Sequence, residues 1–276
     1  MKIVVTGAGG GLGTVLRERA PAGHEFLWLS HQDLPVEDPG IVGRLEAIRP
    51  HLILHLAAMT SVDACERDPD AAFRANALGS SHVARAARQA GALLVALSTD
   101  YVFDGLKGAP NHEFDRPAPL SVYGASKLAG EREVRTLAPE HLVVRTSWVF
   151  GAGDDFVSGA IRSLAAGGET GAITDLLGSP TYVVHLAERL VPLALSDVRG
   201  VVHLGGPERT SFFDLLARAR ELGGLEGELV EQKSDDLGRP APRPMDSSLT
   251  SLVAEGTGLP PMPPLEVALR DLLERQ

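Results

Sequence analysis

Two hydrophobic rhythms alternate along the chain. Short, nearly continuous apolar runs fall at Lys2–Thr6, Glu25–Leu29, Leu52–Leu56, Leu93–Ser98, Leu142–Thr146 and Val201–Leu204. Between them, apolar residues recur at helical spacing over Leu12–Ala20, Ile41–Ile48, Ala71–Gln89 and Tyr123–Leu137. Strands that read as unbroken Val, Leu and Ile are buried on both faces. Strands alternating with helices build a parallel sheet covered by helices. The pattern therefore predicts an α/β fold, a doubly wound parallel sheet. After Gly151 the rhythm becomes mainly helical, over Phe156–Ala166, Leu186–Leu195, Phe212–Leu222 and Leu265–Glu274. The Pro-rich stretches Arg239–Pro244 and Pro260–Pro264 read as loops, because proline removes a donor and blocks helix. The expected organisation is one domain over 1–150 and a smaller lobe over 151–276. The two are interleaved, since Val201–Leu204 can return to the sheet.

The first apolar run leads into Thr6-Gly-Ala-Gly-Gly-Gly-Leu-Gly13, and a helical segment follows. Gly7, Gly10 and Gly13 are spaced G-x-x-G-x-x-G. Glycines at the end of a first strand let backbone N–H groups and a helix N-terminus approach a pyrophosphate. That placement makes the sheet Rossmann-type and the first domain NAD(P)-binding, with a ligand-free glycine turn as the rival reading. An acid is expected about 20 residues further on. Asp33 has that separation but lies past the strand end, which reads Leu29-Ser30-His31. With no carboxylate there to repel an extra phosphate, NADPH is favoured over NADH, which stays admissible. Arg17 could meet that phosphate, or could be an ordinary solvated helix arginine.

A second chemical signal sits on the fourth run, which ends Ser98-Thr99-Asp100-Tyr101. In an open parallel sheet, ligands lie beyond the carboxyl ends of the strands. Side chains alternate along a strand, so only one of Ser98 and Thr99 can serve there. Tyr123 and Lys127 are four apart and share a helix face. An ammonium beside a phenol lowers its pKa, which suits a tyrosine that donates a proton as hydride arrives at carbon. The spacing alone is weak. Three tyrosines and four lysines produce such a pair by chance in roughly 4% of chains.

Composition narrows the function classes. The chain has 276 residues, 44% hydrophobic and 22% charged, an ordinary globular balance. Its net charge of -10 argues against a nucleic-acid partner, which needs clustered Lys and Arg, but leaves a small anionic ligand open. Cys65 is the only cysteine, so there is no intrachain disulfide and no multi-cysteine metal site. No run of about 18 apolar residues exists for a membrane span. The opening run Ile3–Val5 is too short for a signal core, and a cytoplasmic setting is expected.

Together these elements resemble the extended short-chain dehydrogenase/reductases. Longer runs are similar to the dTDP-4-dehydrorhamnose reductase family: Arg49-Pro50, His55–Asp63, Asn76–Ser80, Ser98–Gly105, Pro119–Glu131, Arg145–Gly151, Gly178–Thr181 and Arg243-Pro244. The resemblance covers nearly the whole chain. It implies NADPH-dependent reduction of the 4-keto group of a dTDP-linked 6-deoxyhexose, a small nucleotide sugar. Thr99, Tyr123 and Lys127 become the catalytic residues. Gly7, Gly10, Gly11, Leu12 and Gly13 cradle the pyrophosphate. Ser30, Asp33 and Leu34 border the adenosine, and Ala57, Ala58, Met59 and Thr60 line the other side. Tyr123 and Lys127 also touch the cofactor, while Thr99, Asp100 and Trp148 face the sugar. The alternative for Trp148 is a core aromatic at a strand end. Arg239 and Arg243 could contact a diphosphate or sit in a solvated loop. Relatives described as Mg-linked dimers keep a homodimer and Mg open, though no metal ligands can be located in the sequence. Leu176 and His185 depart from the family pattern and leave the exact sugar open. Three rival readings remain: another nucleotide-sugar reductase, an epimerase or dehydratase, and a non-catalytic regulatory subunit similar to that of methionine adenosyltransferase.

Overall fold

The structure, a computed structural model, describes residues 1–275. The chain runs β1 (Lys2–Thr6), α1 (Gly11–Glu18), β2 (Glu25–Leu29), α2 (Ile41–Ile48), β3 (Leu52–His55), α3 (Val62–Arg67) and α4 (Pro69–Phe73). A π-helical turn, Arg74–Leu78, leads into α5 (Gly79–Ala90), β4 (Leu93–Thr99), α6 (Val122–Leu137) and β5 (His141–Thr146). Then follow β6 (Val149–Phe150), α7 (Phe156–Ala165), β7 (Glu169–Ile173), β8 (Thr181–Tyr182), α8 (Val183–Leu195) and β9 (Gly200–His203). The last elements are α9 (Phe212–Gly223), β10 (Glu228–Gln232) and α10 (Leu265–Glu274).

Six strands form one parallel sheet in the order β2-β1-β3-β4-β5-β9. The chain steps outward from β1 to β2, then crosses back to the other side of β1 for β3. The strand order therefore reverses between β1 and β3, and the crevice above their carboxyl ends is where such sheets take ligands. Alternation sorts the core into two layers. Ile3, Val5, Leu52, Leu54, Val95, Leu142 and Val144 pack on one face with Leu16 of α1 and Leu186, Leu190 and Val191 of α8. Val4, Ile53, Leu94, Ala96 and Val143 pack on the other, with Leu45 of α2, Val83 and Ala87 of α5 and Val134 of α6. Each buried Val, Leu or Ile contributes about 1.5–3 kcal/mol relative to exposure, so a one-residue register slip would invert both layers.

The segment expected as one helix over Ala71–Gln89 is interrupted by the π turn. The late strand Val201–Leu204 lies within or beside β9, which pairs with β5. The second half carries two small sheets not anticipated from the pattern, β7 with β10 and β6 with β8. They surround a separate core of Phe150, Ile161, Tyr182, Leu215, Leu216, Leu269 and Leu272. No helix among the described residues is long and apolar enough to cross a membrane.

Candidate active site

Gly7 leaves β1 with φ 72°, a left-handed conformation that glycine alone adopts without strain. A Cβ there would stand 2.5 Å from the Ala57 nitrogen, so the loops leaving β1 and β3 press directly together. The Gly10 N–H donates to the Gly7 carbonyl at 3.1 Å. A Cβ on Gly13 would meet the Ala8 Cα at 2.7 Å, seating α1 on the loop. Gly11 has a different reason to be small: its Cβ would collide with Ala152 at 2.6 Å. It therefore admits the loop after β6, which belongs to the second half. Gly10 caps α1 without a side-chain hydrogen bond. The helix thus presents Gly11, Leu12 and Gly13 N–H groups at its positive end, as an anion requires.

At the end of β2, the Ser30 N–H and Oγ both donate to Asp33 Oδ2, at 2.9 and 2.6 Å. These bonds hold the Asp33 carboxyl below its usual range. Arg44 donates to the Asp33 carbonyl at 2.9 Å, and the Arg17 guanidinium lies 5.1 Å over the Trp28 ring. Ser30 and Asp33 thus stand together just past the carboxyl end of β2, the neighbour of β1. Leu34 is only 3% exposed and packs into the core, so its side chain forms the floor rather than a wall. Ala57, Ala58 and Met59 are partly exposed and Thr60 is exposed on the opposite rim. The residue that fixes this rim is Asn76, in the π turn. Its Oδ1 accepts from the Met59 N–H at 2.8 Å, and its Nδ2 donates to the Met59 carbonyl and to Ser126 Oγ at 3.0 and 2.9 Å. π turns recur at functional sites because the extra residue re-aims a side chain.

Beyond β4 the side chains divide as alternation demands. Ser98 donates at 2.5 Å to Glu131 of α6, while Thr99 lies toward Tyr123. Lys127 is 7% exposed and donates to the Leu97 carbonyl at 2.8 Å. Burial pushes its ammonium down to about 8, against the pull of Glu131. Beneath it His55 is neutral, with a pKa near 3 set by burial and then by Lys127. Tyr123 behaves differently from the sequence expectation. Burial raises the phenol, Thr99 opposes the rise, and Asp100 and Tyr101 add to it. The outcome is a phenol held protonated near neutral pH, which is the form a proton donor needs. Tyr101 meets the Tyr123 ring edge-on at 5.7 Å.

Asp100 is more enclosed than expected of a residue facing the sugar, and Trp148 is covered on both faces. The Asp100 carboxyl is 2% exposed. It accepts from Thr99 Oγ1 at 3.0 Å and from Ser147 Oγ at 2.8 Å, and burial raises it to about 6. It orients Thr99 rather than lining the crevice. Trp148 has φ 44°, a strained conformation for a large side chain. Phe212 stacks on the indole at 3.9 Å. A Cβ on Gly178 would fall 2.3 Å from the indole Cε2, space open only on the face away from Phe212. Both faces of Trp148 are thus covered, leaving an edge for a ligand.

Arg243 from the second half donates to Asp63 of α3 through Nη1 and Nη2, at 2.7 and 2.8 Å. It also neighbours the Tyr101 phenol. With Arg239 it lines a cavity of about 520 Å³ that includes Ser234 and Gly238. Among the described residues, no group of three His, Cys, Asp or Glu side chains is gathered for a metal.

The RmlD substrate binding domain family matches residues 1–276. A dTDP-4-dehydrorhamnose reductase of Mycobacterium tuberculosis is 41% identical over 272 residues, covering 95% of this chain and 88% of its own. The spore coat polysaccharide biosynthesis protein SpsK of Bacillus subtilis is 34% identical, covering 100% and 98%. Among solved structures, a dTDP-4-dehydrorhamnose reductase from Bacillus anthracis in complex with NADP superposes with a TM-score of 0.95 at 33% identity, covering 100% and 99%. A UDP-glucose 4-epimerase from Thermotoga maritima shares the fold, with a TM-score of 0.85 at 22% identity. With that match across all 276 residues and relatives this similar, the chain belongs to the RmlD substrate binding domain family.

Proposed function

We propose that this chain is an NADPH-dependent dTDP-4-dehydrorhamnose reductase, which converts the 4-keto group of dTDP-4-dehydro-L-rhamnose to the alcohol of dTDP-L-rhamnose. One observation carries the reading: Thr99, Tyr123 and Lys127 converge at the carboxyl end of β4, beside the β1–β3 crevice. The residues present fit a dinucleotide. The bare N-terminus of α1 suits a pyrophosphate. Asp33 stays an exposed carboxylate tied to Ser30, with Arg17 and Arg44 acting electrostatically on it, so an additional phosphate would meet those two cations as well as the acid. The relative solved in complex with NADP supports NADPH over NADH. Gly7, Gly10, Gly11, Leu12 and Gly13 would hold the pyrophosphate. Ser30 and Asp33 would border the adenosine, and Ala57, Ala58, Met59 and Thr60 the nicotinamide side.

The reduced nicotinamide supplies the hydride when bound. Tyr123, protonated at neutral pH, gives its proton to the carbonyl oxygen as charge builds there. Thr99 exchanges its Asp100 acceptor for the same oxygen and stabilises that charge. Lys127 holds its ammonium at the end of β4 and would orient the nicotinamide ribose. Residues 151–276 supply most of the substrate lobe, with the Trp148 edge against the sugar and Arg239 and Arg243 near the diphosphate. The family resemblance also carries a cytoplasmic setting and a homodimer as parts of the proposal; light scattering of the purified protein tests the second.

The decisive experiment follows NADPH oxidation against a panel of dTDP- and UDP-linked 4-keto sugars. One NADPH consumed per dTDP-4-dehydro-L-rhamnose is the expected result. Sugar conversion without NADPH consumption would turn the reading toward an epimerase, and no turnover on any sugar would sink it.

A further inference from the structure

Glu131 is a buried acid that stands behind the reacting groups. Its side chain is 2% exposed, as is that of Arg145. One carboxylate takes three donors: Arg145 Nε at 2.9 Å, Arg145 Nη2 at 2.7 Å and Ser98 Oγ at 2.5 Å. These donors come from two neighbouring strands, since Ser98 of β4 and Arg145 of β5 are register partners. Glu131 lies four residues after Lys127, on the same face of α6, as Lys127 does relative to Tyr123. The helix is therefore pinned to the last residues of β4 twice, by Lys127 on Leu97 and by Glu131 on Ser98. Thr99 is the next residue along.

We propose that Glu131 is a positioning residue of the reduction: its grip on Ser98 and Arg145 sets the rotation of α6 that brings Tyr123 and Lys127 to Thr99, and its charge keeps Lys127 an ammonium. The proposal rests on the reductase reading. Three other groups bear on Lys127. His55 of β3 faces it and is neutral. Tyr123 shares the helix face and is protonated. Arg145 of β5 is bound to the same Glu131 carboxylate. Among the described residues, Glu131 is thus the anion that supports the ammonium against burial.

The test is the pH profile of kcat for Glu131→Gln and Ser98→Ala, with thermal melts and NADPH binding by fluorescence. Glu131→Gln moves the alkaline limb toward neutrality by about 0.5–1 pH unit, as loss of an opposite charge dictates, and weakens NADPH binding. Ser98→Ala lowers kcat a few-fold, roughly the effect of one lost hydrogen bond, and leaves the limb in place. Because Glu131→Gln strands a buried guanidinium, Glu131→Gln/Arg145→Met is measured alongside and shows the same direction of shift if the single variant does not fold. A folded variant lacking the acid, with an unmoved limb and unchanged NADPH binding, overturns the proposal. Absence of turnover in the wild type overturns the reductase reading instead.

Discussion

Two polar clusters meet at the end of β4, one residue apart, and they are built on opposite rules. Around Ser98, the Glu131–Arg145 pair is saturated, with charge matched to charge and donors to acceptors. Around Thr99, Lys127 is lowered, Asp100 is raised to about 6 and Tyr123 is raised, each chiefly by burial. A saturated cluster stabilises and is chemically quiet. A cluster of displaced ionisations costs stability and is poised for proton transfer. Alternation along a single strand is enough to separate them.

The distinction is broken most directly at Arg145. Arg145→Met leaves Glu131 buried without its partner, which costs about 3–5 kcal/mol, read as a lowered urea midpoint at unchanged slope. A variant as stable as the wild type would show that the pair contributes nothing to the fold. Tyr123→Phe tests the other cluster. Turnover falls by roughly 10²-fold or more, as for loss of a general acid, with the urea midpoint preserved. Near-normal turnover would remove Tyr123 from its role. Lys127→Met sharpens the contrast further: it removes a buried charge, so stability is held or raised, while NADPH binding weakens by about tenfold, or 1.4 kcal/mol. A destabilised Lys127→Met protein with normal NADPH affinity would mean that Lys127 is structural.

Much of the first half is legible in the sequence because its signals are local. Lys2–Thr6, Glu25–Leu29 and Ile41–Ile48 coincide with β1, β2 and α2, since each is an apolar run between turn-forming residues. The opposite facing of Ser98 and Thr99 follows from strand geometry alone. What was not legible depends on partners far away in the chain. The π turn exists where Asn76 reaches Met59, 17 residues back, and nothing near Arg74–Leu78 announces it. β7 and β10 read Glu-Thr-Gly-Ala-Ile and Glu-Leu-Val-Glu-Gln, too short and polar to stand out before they pair. The Tyr123 phenol shifts opposite to what its lysine neighbour implies for a related reason. Helical spacing reveals the neighbouring lysine, but not the burial or the carboxylate of Asp100 that outweigh it. Spacing likewise shows Trp148 at a strand end, not that Phe212 and Gly178 close both its faces.

The smallest expected effect separates activity from stability at one residue. Lys127 titrates near 8 in the folded chain against 10.5 for the free side chain. Between these values the unfolded chain binds the proton more tightly, so this group adds stability as pH rises and adds nothing below about pH 8. The gain is on the order of 1 kcal/mol from pH 8 to 9. Activity moves the other way, since the ammonium that serves the site is lost over the same window. Other groups titrate there too, so the measurement is the difference in urea midpoint between wild type and Lys127→Met at pH 7, 8 and 9. Wild-type stability should rise relative to the variant while kcat falls. Parallel curves would mean that Lys127 keeps an ordinary pKa and that the cluster around Thr99 is less strained than its burial implies.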